Sequence, residues 1–189
     1  KLSKDANISL NAITRKSIVD LKKTEQTVVS DINKDTDWNK ILKNCNVIIH
    51  LASIAHDTDT NKLHEIEIYE KLNYEGSINL AIHAGKNKVK RFIFLSSIKV
   101  NGDYNNYNKS FSHNDTPNPK SIYGKIKLKT EIELVKIAKK FEFELVILRP
   151  TLVFGNNVKG NLLKLYQYIF NGYPFLISSQ TVNKSYLSI

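Results

Sequence analysis

An α/β fold built on a parallel sheet follows from three features of this chain. Short, nearly uninterrupted apolar runs recur along it, at residues 46–52, 91–96 and 144–149. Strands of that kind belong to sheets buried on both faces. Between the runs lie longer stretches whose apolar residues return every three or four positions, the period of an amphipathic helix. Turn residues such as Gly85, Pro150 and Gly155 punctuate the alternation. Strand following helix in this order predicts an α/β fold, a parallel sheet with helices on both faces.

The elements follow in order. Residues 8–14 alternate apolar and polar positions for part of their length and read as a short strand; 27–30 form a second, followed by Asp31 and Ile32. Residues 38–43 suggest a short helix. Residues 46–52 form a buried strand. A long helix is expected over 61–84, with Leu63, Ile66, Leu72, Ile78 and Ala81 on its apolar face and Gly85 as its stop. Residues 91–96 are another buried strand. The polar stretch 101–120 reads as a loop of about twenty residues, a length that is usually functional or mobile. Ser121 is placed to cap a helix running to 141, with Leu128, Ile132, Val135 and Ala138 spaced for burial. Residues 144–149 give a further strand and 160–170 a helix. The last dozen residues show no clear period.

Composition narrows the function classes. The net charge of +10 comes almost wholly from lysine, with Arg15, Arg91 and Arg149 the only arginines. Arginine supplies the bidentate contacts to phosphates and bases, so its scarcity argues against nucleic acid as a partner. No apolar run approaches the ~20 residues of a membrane span, and no signal peptide is visible. The single cysteine, Cys45, excludes an internal disulfide and points to a reducing, cytoplasmic setting. His50, His56, His64, His83 and His113 lack the spacing of metal ligands.

The chemistry centres on Tyr123 and Lys127. Four residues apart at the start of a helix, they stack on one face. A phenol titrates near ~10, so a base working at neutral pH needs a fall of about 3, roughly 4 kcal/mol. A neighbouring ammonium supplies part of that. A chain with nine tyrosines and this many lysines holds about one such pair by chance, so its context decides. In parallel sheets ligands bind beyond the carboxyl ends of the strands. Asp31, Ala52, Ser53, Ser96, Ser97 and Pro150 all stand immediately after expected strands, and Lys99 faces the same crevice if its strand continues.

These residues carry a family resemblance. Asp31-Ile32, His50-Leu-Ala-Ser53, Asn73-x-x-Gly76, Phe94-Leu-Ser-Ser-Ile-Lys-Val-Asn-Gly102, Tyr123-Gly-Lys-Ile-Lys127 and Leu148-Arg-Pro-Thr-Leu-Val-Phe-Gly155 occur in the order and spacing of the extended short-chain dehydrogenases/reductases. The chain resembles most the epimerase/dehydratase branch that acts on nucleotide-linked sugars. The resemblance implies a Rossmann-type α/β dinucleotide-binding domain over 1–155 and the beginning of a substrate-binding region over 156–189. It implies NAD, with NADP possible, as cofactor, and a nucleotide-sugar, UDP-linked, as substrate. Tyr123 becomes the acid/base and Lys127 its partner, which also meets the nicotinamide ribose. Ser97 holds the reacting sugar oxygen. Asp31 and Ile32 flank the adenine; Leu51, Ala52 and Ser53 pass under the dinucleotide; Asn73, Ser96 and Pro150 lie near it. Lys99 and Asn161 are the further substrate positions. Pairing of two copies through 61–84 and 121–141 is implied as well.

The chain departs from that pattern in two places. The opening strand and glycine-rich turn, which would hold the pyrophosphate on a helix N-terminus, are expected to be missing, so the chain reads as a fragment or a truncation. At the end of the first visible strand, Arg15 replaces the acidic residue usual in NAD-preferring relatives. Arg15 suits the 2′-phosphate of NADP, or is simply a solvated surface charge. The resemblance implies 4-epimerisation first, with 4-ketoreduction as the alternative and, from another class, nucleotide binding without turnover. Dehydration ranks below these, because Ile98 and Lys99 stand where dehydratases carry an Asp-Glu pair.

Overall fold

The computed structural model describes residues 5, 7–18, 24–55, 66–104, 109–155, 161–174 and 185–188. The strands are β1 (Asn11–Thr14), β2 (Glu25–Val28), β3 (Val47–His50), β4 (Arg91–Leu95), β5 (Glu144–Leu148), β6 (Leu152–Phe154) and β7 (Tyr186–Ser188). The α-helices are α1 (Ser77–Lys86), α2 (Ile122–Phe141) and α3 (Asn161–Phe170). Every strand pairing is parallel: β1 with β2, β3 with β4 and β4 with β5, and β6 with β7. Parallel neighbours need a crossover, and described helices supply it between β3 and β4, β4 and β5, and β6 and β7. The expected Rossmann-type α/β architecture is therefore present.

The register of the central strands sorts their side chains. Ile48, Phe92 and Leu145 lie in one row and His50, Phe94 and Ile147 in another. These rows face α1 and α2 and join Leu80, Ala81, Ala84, Leu134 and Ile137 in one core. The alternate rows point the other way, where Val47 and Ile49 stay 46% and 43% exposed. Double-sided burial of the strand at 46–52 is thus not what the described residues show: α1 and α2 cover one face. Trp38 and Leu42 close the same core from the segment after β2.

Other departures are local. The helix expected at 38–43 is a run of turns held by Leu42 N–H on Trp38 C=O at 2.9 Å. Asn44 adopts φ 63°, so the chain reverses before a helix can propagate. The C-terminal stretch, which shows no period, contributes β7. Leu63 falls outside the described residues, as does much of the first part of the 61–84 helix. From residue 66 onward that helix is present, but Tyr69–Gly76 is wound as a π-helix before α1 begins. Gly76 serves a close approach to the loop after β2: a Cβ there would lie 2.8 Å from the Ile32 carbonyl oxygen.

On α2 the expected apolar face is only partly the buried one. Ala138 is buried, but Ile132 and Val135 are 52% and 54% exposed. The inward face carries Ile126, Lys127, Thr130, Glu131, Leu134, Ile137 and Ala138. Three polar residues on that face disguise it to any reading based on hydrophobicity alone.

Candidate active site

Two interactions bring the start of α2 to the carboxyl end of β4. The Ser121 hydroxyl accepts the Gly124 N–H at 3.1 Å and caps the helix. Gly124 then lies on the short 3₁₀ turn Ile98–Val100, so close that a Cβ would stand 2.6 Å from the Lys99 carbonyl oxygen. Beyond β4 the chain stays tied to β5 by Ser96 N–H on Leu148 C=O at 2.7 Å and Ile98 N–H on Pro150 C=O at 3.0 Å. Ser97 is extended, and its Oγ caps the 3₁₀ turn by accepting the Lys99 N–H at 3.2 Å. Its hydroxyl proton is left to donate elsewhere.

Lys127 is 1% exposed. Its Nζ donates to the Leu95 carbonyl at 2.9 Å, 4.6 Å from the centroid of the Phe94 ring and 5.8 Å from that of Tyr123. Burial pushes the ammonium down to about 8, against the pull of the Glu131 carboxylate one turn along. Tyr123 is half-buried, edge-on to Tyr69 at 5.9 Å. Burial raises its phenol above the ordinary value, and a hydrogen bond with the Ser53 side chain draws it partly back. The expectation that Lys127 depresses this phenol is therefore not met in the geometry described, because its Nζ is turned to the Leu95 carbonyl. Below the pair sits His50, whose Nε2 lies 2.8 Å from Ser77 Oγ. Burial, and next the Lys127 charge, pull the imidazole down to about 3, so it is neutral.

Asn73, expected beside the dinucleotide, is fully buried in the π-helix. Its Oδ1 accepts from Ile54 N–H at 2.9 Å and Ser53 Oγ at 3.2 Å, and its Nδ2 donates to Ile54 C=O at 2.8 Å. The amide thus fastens the loop after β3, and with it the serine that meets Tyr123. A π-turn in a helix commonly marks such a site.

At the carboxyl end of β2 an open hollow of about 360 Å³ runs from Val29 to Asp37, with Asp31 in its lining. Asp31 Oδ1 accepts the Ile32 N–H at 2.8 Å and Oδ2 lies 3.4 Å from Lys71 Nζ. The Ile32 side chain does not line this hollow; it is 7% exposed and packs into the core. Leu51 is exposed and Ala52 and Pro150 half-buried; β3 stops at His50, two residues short of the expected strand end, so all three lie just past strands. Arg15 is exposed just after β1. Lys99 extends to Asp103, with Nζ and Oδ1 2.6 Å apart. Asn161 opens α3, and its side chain lies outside the described residues. Ser96 is buried and donates to Glu131.

Sequence reasoning missed Gly124, Asn101, Glu131 and Arg149. The signals were present: Glu131 follows Lys127 by four residues, and Arg149 is one of three arginines in a lysine-rich chain.

Comparison with known proteins agrees with this fold. Residues 3–171 match the NAD dependent epimerase/dehydratase family. A UDP-glucose 4-epimerase from Vibrio cholerae is 41% identical over 156 residues, covering 82% of this chain and 48% of that protein. The N-acetyl-alpha-D-glucosaminyl-diphospho-ditrans,octacis-undecaprenol 4-epimerase of Escherichia coli O157:H7 is 30% identical over 163 residues, 85% of this chain and 47% of its own. The chain therefore spans about half the length of the curated relatives it matches. Among solved structures, a UDP-glucuronic acid 4-epimerase from Bacillus cereus, in complex with UDP-glucuronic acid and NAD, superposes with a TM-score of 0.83 at 23% identity. The match covers 99% of this chain and 63% of that one. A UDP-N-acetylglucosamine 4-epimerase from Methanobrevibacter ruminantium M1 gives 0.74 at 23% identity, covering 95% of this chain and 61% of the other. Matched to that family over residues 3–171, and 41% identical to one relative over 82% of its own length, the chain belongs to the NAD dependent epimerase/dehydratase family.

Proposed function

We propose that this chain forms the dinucleotide-binding part of a nucleotide-sugar 4-epimerase that uses NAD and acts on a UDP-linked hexose. The observation that carries the reading is the buried Lys127 ammonium beside Tyr123 at the carboxyl end of β4, with Ser97 on the adjoining turn. The residues present suit the cofactor: the hollow after β2 is polar, open and lined by Asp31, and the segment 51–53, exposed at Leu51 and half-buried at Ala52 and Ser53, leads from β3 toward Tyr123. Asp31 would face the adenosine, Leu51 to Ser53 would underlie the dinucleotide, and Ser96 and Pro150 would back it. NAD, when bound, supplies the acceptor for a hydride from the sugar's C4.

The chain's own residues handle the proton. Tyr123 Oη accepts it from the C4 hydroxyl as the hydride leaves that carbon, and returns it when hydride comes back to the other face. Lys127, charged below about pH 8, stands 5.8 Å from the centre of the Tyr123 ring, and turning its Nζ from the Leu95 carbonyl toward the phenol would favour the phenolate that this step needs. Ser97 Oγ–H donates to the sugar oxygen whose charge changes. Lys99 and Asn161 are the further substrate contacts in this reading, residues 1–155 the dinucleotide domain and 156–189 the start of the substrate region. Exposed Ile132 and Val135 on α2 give a pairing of two copies an apolar contact. The lone Cys45 fits a reducing cytoplasm. No described helix is long and apolar enough to cross a membrane.

The test is interconversion of UDP-glucose and UDP-galactose by the protein and its Tyr123→Phe variant. Turnover is expected to fall roughly 100- to 10,000-fold with NAD binding retained. Equal turnover by the variant would remove Tyr123 from the chemistry.

A further inference from the structure

We propose that Glu131, buried, and Arg149, partly buried, form a charged bracket that seats the loop segments 101–104 and 109–120 against α2, and so act as positioning residues for Tyr123 and Lys127. The inference rests on the catalytic reading of that pair. Glu131 is 3% exposed, one turn beyond Lys127. Arg149 follows β5 and grips it in a two-pronged contact, Nη2 to Oε2 at 2.6 Å and Nε to Oε1 at 3.0 Å. That geometry is the strong, directional form of the ion pair.

Each partner also holds a further element. The Ser96 hydroxyl donates to Glu131 Oε1, joining the end of β4 to α2. Arg149 Nη1 donates to Asn101 Oδ1 at 3.1 Å, and Asn101 Nδ2 donates to the Ser112 carbonyl at 3.2 Å. Asn101 is itself 5% exposed. The loop closes back beside it, with Asn118 N–H on the Val100 carbonyl at 3.1 Å. One bracket thus ties β4, β5, α2 and the long loop together beside the Tyr-x-x-x-Lys turn.

Stability alone does not account for such an arrangement. Burying an ion pair costs about as much as its attraction returns, and apolar side chains of the same volume often do as well. What the fork adds is orientation, and reacting groups need placement to within a fraction of an ångström. The bracket also sets the charge around Lys127. That ammonium faces Glu131 and Tyr123 on its own helix, the Leu95 carbonyl from β4 and neutral His50 from β3, with Arg149 behind Glu131.

Two variants separate positioning from bulk stability. Asn101→Ala cuts only the arm to the loop; Glu131→Gln cuts the charge at the centre. Hydrogen exchange is followed at the amides of 109–120 and of β4 and β5, together with kcat, KM and the pH profile. For Asn101→Ala, loop amides should exchange at least about tenfold faster relative to the sheet, and kcat should fall by a similar factor with NAD affinity held. Glu131→Gln should do the same and move the alkaline limb of the profile to lower pH. Arg149→Lys should not restore the loop, since an ammonium lacks the fork. Unchanged loop exchange in Asn101→Ala, or equal acceleration in loop and sheet, overturns the proposal. If Glu131→Gln does not fold, Asn101→Ala decides. If Tyr123→Phe keeps full turnover, the catalytic reading falls, and loop exchange still shows whether the bracket seats the loop.

Discussion

Holding the Lys127 ammonium at 1% exposure works against the fold at neutral pH. Its pKa falls from 10.5 to about 8, so the charged form is disfavoured inside by about 3 kcal/mol. The unfolded chain binds the proton more tightly between those values, so this penalty is full below pH 8 and relieved as pH rises to 10.5. Lys127→Met should therefore abolish turnover while leaving the protein as stable at pH 7, or more so by about 1–3 kcal/mol. Urea midpoints should show the advantage shrinking between pH 8 and 10.5. A variant less stable at pH 7 would mean the bond to Leu95 outweighs the burial. His50 works in the other direction of pH. Its imidazole is held at about 3 against an ordinary 6.5, so it favours the folded state fully above 6.5 and stability is lost as pH falls toward 3. The span corresponds to about 5 kcal/mol. His50→Gln, which keeps a polar group for Ser77, should flatten the stability profile between pH 6.5 and 3; an unchanged slope would place the acid sensitivity elsewhere.

At the scale of elements, α2 shows what a sequence pattern reveals and what it conceals. Its extent, its Ser121 cap and the Tyr123–Lys127 spacing were all legible, because capping and four-residue stacking are local. Its buried face was not, because Lys127, Thr130 and Glu131 turn inward to partners on β4, β5 and the π-helix. Hydrophobic periodicity carries no record of a polar residue that pairs across the fold. The same holds for Asn73, whose burial depends on the backbone of Ile54, nineteen positions away. Gly124 is the element's contact point with the turn after Ser97. A methyl group at that position meets backbone, which has little room to yield. Gly124→Ala should cost about 1–3 kcal/mol by denaturant midpoint and lower turnover as α2 shifts. Wild-type values for both would show that the helix start moves freely.

For the whole molecule, the alternation of strand and helix was enough to reach a parallel α/β sheet, since that alternation is written along the chain. The pairing was harder to foresee: β1–β2, β3–β4–β5 and β6–β7 form three separate parallel groups among the described residues. β7 is three residues long with all three exposed, so no burial pattern announced it. The candidate site depends on the middle group, where Ser97 and Pro150 leave β4 and β5 side by side and α2 arrives over them. The proposed reaction takes a hydride from C4 of a nucleotide-sugar and returns it to the same carbon. It is tested most directly with UDP-galactose carrying deuterium at C4, given to the protein with NAD. The prediction is UDP-glucose that retains the deuterium at C4, with no exchange into water and no net change in reduced nicotinamide. Loss of the label to solvent, or steady consumption of reduced cofactor, would contradict it.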